Sequence, residues 1–156
     1  MVNYCEASNI KLCVFFGHRD CPSSIEPILR EKIKSLICDN QITDFWVGNN
    51  GRFDYLVREI LKEYETTYNI KYQVVLSRLP SAKAVVPNYD ATHYTIPEGI
   101  ENVPPKFSID FRNRYMLKHA TFIIAYITHD FGTGAAKYVA LAKNKHSPII
   151  NIADLQ

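Results

Sequence analysis

Several absences bound what this chain can be. None of its apolar runs approaches the roughly 20 residues that a membrane-spanning helix needs. Its opening stretch, MVNYCEASNIK, lacks the charged-then-apolar layout of a signal peptide, so a cytoplasmic protein with no membrane partner is expected. No charge sign dominates: 18 Lys and Arg against 16 Asp and Glu leave a net charge of +2. A field that weak argues against nucleic acid as a partner, and any cationic function must be local. The four cysteines, Cys5, Cys13, Cys21 and Cys38, form no CxxC pair, and nothing else has metal-ligand spacing. Ser–His–Asp logic, internal repeats and low-complexity segments are missing too. Neither a metal nor a cofactor is expected.

What is present is a rhythm of short apolar strands and amphipathic helices in 156 residues, the length of one domain. The run LCVFF over 12–16 suits a strand buried on both faces. It ends at Gly17 and leads to a helix with the apolar stripe Ile25, Ile28, Leu29, Ile33, Leu36 and Ile37. Ser23 or Ser24 is placed to cap that helix; Pro27, tolerated only in a first turn, favours Ser24. A strand over 42–47, a helix over 52–64 and a strand over 72–79 follow. Beyond a segment at 80–107 with five prolines come a helix over 108–119, capped by Ser108 or Asp110, a strand over 121–127, a helix over 135–144 and a strand over 148–152. The expected fold is therefore α/β, a Rossmann-like open sheet of about five parallel strands with helices on both faces. The Pro/Tyr-rich stretch at 80–107 reads equally as a packed lid or as an excursion.

In such a sheet, ligands bind beyond the carboxyl ends of the strands, where strand order reverses. With an order 3-2-1-4-5 that point lies between the first and fourth strands. Three glycine turns, each opening a helix, would converge there: Gly17-His18-Arg19, Gly48-Asn49-Asn50-Gly51, and His129-Asp130-Phe131-Gly132-Thr133-Gly134. Small residues after Gly134 would let backbone N–H groups approach a phosphate. Arg19, Arg52 and Arg78 gather at the same edge, with Arg112 and Arg114 within reach; Arg19 and Arg112 are the stronger candidates, and at least two of Arg52, Arg78 and Arg114 read as surface cations. For acid–base work the edge offers His18, Asp54, His129 and Asp130. Cys21, beside Arg19 and ahead of a helix, has the setting of a lowered thiol pKa, although a loop thiol without a role is the simpler reading. Phe16, Trp46, Phe53 and Tyr115 read as core, with Phe53 and Tyr115 open to a stacking role.

FFGHRDC (15–21), VGNNGRFD (47–54), DFRNRYMLKHA (110–120) and FGTGAAKYVALAKNK (131–145), in this order over nearly the whole chain, resemble the SLOG superfamily. They are most similar to its short, single-domain YspA/YpsA-like branch, related to the DNA-processing protein DprA and to the Lonely Guy phosphoribohydrolases. The resemblance implies binding of a nucleotide or nucleotide-derived ligand, such as an ADP-ribose-type signal, and homodimer formation. It implies a first binding turn of Gly17, His18 and Arg19, and a second of Gly48, Gly51 and Asp54. Arg112 and Asn113 would reach in from their helix, and Gly132, Thr133 and Gly134 would cradle phosphate. The chain departs from the Lonely Guy pattern, PGGxGTxxE, at its glutamate: here FGTGAAKY carries none. A ligand sensor or sponge is thus favoured over an N-glycosidase, for which Asp54 or Asp130 would have to substitute.

Overall fold

A computed structural model describes residues 11–79, 91–129 and 134–156. Six strands form one sheet: β1 (Leu12–Gly17), β2 (Asp44–Val47), β3 (Lys71–Val75), β4 (Tyr94–Thr95), β5 (Phe122–Tyr126) and β6 (Ile149–Asn151). All pairings are parallel, in the order β4-β3-β2-β1-β5-β6. The sheet is the expected Rossmann-like one, with one strand more than five. The addition, β4, comes from the proline-rich stretch, where Tyr94 pairs with Val74 and Thr95 with Val75. Two residues display no period, which is why the strand does not announce itself in the sequence. Three short 3-10 turns, Ala91–His93, Ile100–Asn102 and Pro105–Phe107, also lie in this stretch; residues 80–90, the first part of the stretch read as a lid or an excursion, lie outside the described residues.

Four helices cover the sheet: α1 (Glu26–Asp39), α2 (Arg52–Tyr68), α3 (Ser108–His119) and α4 (Gly134–Asn144). Alternation along β1 feeds two separate cores. Cys13 and Phe15 pack with Leu29, Ile33, Val57 and Ile60 of α1 and α2. Val14 and Phe16 pack with Met116, Val139 and Ala142 of α3 and α4. With both faces covered, nearly every β1 residue must be apolar, hence the unbroken run.

The helix starts differ from expectation. Ser23 and Ser24 do not cap α1; with Ile25 they form a 3-10 turn, and α1 begins at Glu26 with Ile25 at its N-cap and no side-chain cap. Pro27 then occupies the first turn, where its missing N–H costs nothing. Ser23 Oγ instead accepts a hydrogen bond from Arg52 Nη2. Neither Ser108 nor Asp110 caps α3: Phe107 stands at its N-cap, Ser108 Oγ donates to the Pro105 carbonyl at 2.8 Å, and Asp110 faces α4. The helix read as 52–64 runs on to Tyr68, where Asn69 takes the left-handed conformation that ends it.

Gly17 closes β1 against the first turn of α2. A Cβ there would lie 2.2 Å from Cγ of the fully buried Phe53. Glycine is therefore demanded by packing, so that α2 can sit close over the strand end. Gly17→Ala is expected to destabilise the fold by about 1–3 kcal/mol, as overpacking does, seen as a lower urea midpoint. An unchanged midpoint would mean that the Phe53 ring moves aside freely.

Candidate functional site

Strand order reverses at β1, which has β2 on one side and β5 on the other. Beyond the carboxyl ends of these strands lies a cavity of about 370 Å³. Its lining includes Gly17, His18 and Arg19 after β1, Gly48 after β2, Asp54 on α2, Arg112 and Asn113 on α3, and Gly134 on α4. The structure thus brings together eight of the residues expected to bind ligand, and His129, expected at the same edge, lines the cavity too. Gly51 does not line the cavity. Its φ of +91° and the Arg19 Cα 2.7 Å from where a Cβ would stand make it the place where two turns press together. The contact is fixed by Arg52 N–H donating to the Arg19 carbonyl at 2.8 Å. Asp130, Gly132 and Thr133 lie outside the described residues.

The floor is built on Arg112, only 2% exposed. Its Nε donates to Asn113 Oδ1 at 2.7 Å, and its Nη1 to Asn49 Oδ1 and to the Val75 carbonyl, both at 3.2 Å. Among the described residues Nη2 makes no hydrogen bond. Burial lowers the Arg112 pKa, and the nearby Asp54 charge opposes that. Asp54 Oδ2 accepts from the Asn50 N–H at 3.0 Å. Burial pushes the Asp54 carboxyl up to about 6, against the attraction of Arg112 and the Asn50 hydrogen bond. The two groups flank Gly48, where a Cβ would lie 2.7 Å from both Arg112 Nη1 and Asp54 Oδ2. Glycine at this position is what leaves room for them.

His18, 5% exposed, forms one wall. Its Nε2 accepts from the Thr128 N–H at 2.9 Å, which places the ring proton on Nδ1 in the neutral form. Among the described residues, Nδ1 and Asn50 Oδ1 are enclosed and have no hydrogen-bond partner. The His129 ring stacks on His18 with centroids 4.5 Å apart. Burial, with the His129 ring adding to it, lowers the His18 pKa, so the ring favours the neutral state. Arg19 is exposed at the rim, and Gly134 and Ala135 bring the first turn of α4 to the opposite side. The cavity therefore pairs a mixed-charge floor, able both to donate and to accept, with a small-residue helix start that favours negative charge.

Other sequence candidates fall elsewhere. Arg114 is engaged with Asp110 at 2.9 Å, Arg52 with Ser23, and Arg78 lines a separate cavity of about 240 Å³ beyond β3. Cys21 is buried, and burial pushes its thiol up to about 11 despite Arg52; the lowered thiol pKa is corrected, because desolvation outweighs the cation. Phe53 is core, and Tyr115 stacks on Trp46 with the ring planes 2° apart, outside the cavity. Sequence reasoning missed Asn50, Asp20 and Ile109 as lining residues. Asn50 was within reach, lying inside the Gly48–Gly51 turn; Ile109 carried no signal beyond its helical stripe. Among the described residues no group of His, Cys, Asp or Glu is placed to hold a metal ion, and no helix is long and apolar enough to cross a membrane. No protein-family model matches the chain, and no curated protein matches it.

The raised Asp54 pKa has a consequence for stability. A carboxyl whose folded value, about 6, exceeds its ordinary 3.8 leaves stability intact below pH 3.8 and reduces it as pH rises through 6. The loss is at most about 3 kcal/mol for a shift of this size. Asp54→Asn is expected to remove that component, so the difference in urea stability between wild type and variant should change between pH 4 and pH 7. A constant difference would mean that Asp54 titrates normally.

Proposed function

We propose that this protein binds a nucleotide or nucleotide-derived ligand in the cavity at the strand ends, as a sensor or a sponge. The observation that carries the reading is the buried Arg112–Asp54 floor in a cavity of about 370 Å³ that also receives the first turn of α4. That volume lies within the range of small-molecule sites. Hydroxyls of a ribose suit the floor, since Arg112 donates and an ionised Asp54 accepts. A phosphate suits the α4 start and Arg19, where the positive end of the helix and a guanidinium face the same space. The SLOG resemblance points to the same ligand class on independent grounds.

A second reading is kept for one observation. Asp54 is a buried carboxyl in the cavity with its pKa pushed up to about 6, the setting of a general acid near neutral pH. On this reading the protein cleaves a nucleotide N-glycosidic bond. The absence of a glutamate after Gly134 in the sequence favours binding over cleavage.

Equilibrium dialysis against a mixed nucleotide pool, read by chromatography with mass detection, separates the two. A nucleotide retained unchanged is the expected result; release of free base and ribose phosphate would establish the hydrolase, and a pool that passes through untouched would refute both. Arg19→Ala and Arg112→Gln are each expected to weaken retention at least tenfold, the loss of a charged hydrogen bond, with the circular dichroism spectrum unchanged. Unaltered affinity in both would remove the site. Because Asp54 accepts from hydroxyls best when ionised, affinity should rise as pH increases from 5 to 7 and level off. That pH dependence should vanish in Asp54→Asn.

A further inference from the structure

Strand β6 stops short of the strand it pairs with, and one side chain takes up the pairing where the backbone leaves off. The last β5–β6 partners are Ala125 and Asn151. From Ile152 the chain turns into a 3-10 helix, Ile152–Leu155, so no extended residue follows to meet the buried Ile127. The half-buried Asn151 meets it instead. Its Oδ1 accepts from the Ile127 N–H and its Nδ2 donates to the Ile127 carbonyl, both at 3.0 Å. A side-chain amide offers an acceptor and a donor side by side, as a peptide unit does, and so continues a ladder that would otherwise leave both groups unpaired. Oδ1 accepts from the Ala153 N–H as well, at 3.2 Å. Two N–H donors on one atom fix the orientation of the amide, since the flipped form would set NH₂ against both.

Successive residues of a parallel strand turn their backbone groups to alternate neighbours. A segment clasped at Ile127 on the β6 side therefore faces β1 through Tyr126 and Thr128. There the Tyr126 carbonyl accepts from the His18 N–H at 3.3 Å, and the Thr128 N–H donates to His18 Nε2 at 2.9 Å. A ring flipped about its Cβ–Cγ bond would set a C–H against the Thr128 N–H. One backbone donor thus selects both the orientation of the ring and its tautomer. We propose that Asn151 is a positioning residue: by clasping Ile127 it holds the Thr128 N–H against His18, and so keeps the His18 ring in one orientation and in the Nδ1–H tautomer. Asn151 does not itself line the cavity; it acts through Ile127 and Thr128 on a residue that does. The functional consequence rests on the ligand-binding reading, in which Nδ1–H is the donor this ring can offer, but the positioning is a property of the free protein. The lowered His18 pKa agrees with it: burial, with the His129 ring adding to it, favours the neutral ring that an accepting Nε2 requires.

The test reads the His18 ring in ¹⁵N-labelled, ligand-free protein near neutral pH by long-range ¹H–¹⁵N correlation, which tells the two neutral tautomers apart. The signals are assigned by their loss in His18→Gln. Wild type is expected to show one tautomer, protonated at Nδ1. In Asn151→Ala the clasp is gone, and the two ring nitrogens should average between both tautomers. Asn151→Asp is nearly isosteric and keeps the accepted hydrogen bonds, but sets a carboxylate oxygen against the Ile127 carbonyl; the same averaging is expected, and this variant decides the matter if Asn151→Ala does not fold. Ile150→Ala thins the same strand, where Ile150 packs against the core, without touching the amide, and should leave the tautomer as in wild type. A tautomer unchanged in the Asn151 variants overturns the proposal, as does a wild-type ring protonated at Nε2. Equal averaging in Ile150→Ala overturns it too, by tracing the effect to a loosened edge strand. Should wild type retain a nucleotide, retention is expected to weaken about tenfold in Asn151→Ala; undiminished affinity there would overturn the functional consequence. If no nucleotide is retained, the ligand-binding reading fails while the tautomer still decides the positioning role.

Discussion

The site depends on keeping one guanidinium out of water. A buried arginine loses its hydration, and the loss is tolerable only where each charged N–H finds a fixed acceptor or an opposite charge. Arg112 has three such acceptors from three parts of the chain: Asn113 beside it on α3, Asn49 after β2 and the last carbonyl of β3. Asp54, from α2, supplies the charge. The constraint ties the ends of β2 and β3 to α2 and α3. It also dictates Gly48, since any side chain there would collide with both Arg112 and Asp54.

The topology explains why these pieces are available in one place. In a parallel sheet every strand delivers its carboxyl end, and the helix start after it, to the same edge. Where strand order reverses between β1 and β5, the loops that follow diverge to opposite faces and leave a crevice. Gly17 deepens the arrangement by letting Phe53 and the first turn of α2 sit directly over β1. Asp54, one residue further on, is thereby carried to the floor. Packing and chemistry share that turn: Phe53 anchors the helix and Asp54 serves the cavity.

The buried strand β1, the four helices and the order of the sheet were legible because each rests on a pattern several residues long. The convergence of Gly17, His18, Arg19, Gly48, Asp54, Arg112, Asn113 and Gly134 was legible for a topological reason, since residues just past parallel strands must share an edge. What escaped the sequence depends on local competition. Ser23 has capping chemistry, but Pro27 moves the start of α1 to Glu26, and Arg52 takes the hydroxyl. Asp110 has capping chemistry too, yet Lys137, Arg114 and Tyr138 outbid the helix start for its oxygens. Cys21 has a cation nearby, and burial still wins. In each case the residue type was informative and the partner, distant in sequence, was not.

The same distance in sequence separates the two acidic groups that shape the site. Asp54 sits where its charge is costly, and burial raises its pKa; Asp110 sits among three donors, which lower its own. Asp110 is a firm acceptor between α3 and α4, where it holds Arg114, Lys137 and Tyr138. Asp54, with its carboxyl pushed up to about 6, changes charge with pH beside a guanidinium held by three acceptors. A fixed donor thus stands beside an acceptor whose charge follows pH, and the proposed binding of a sugar-bearing anion rests on that pairing.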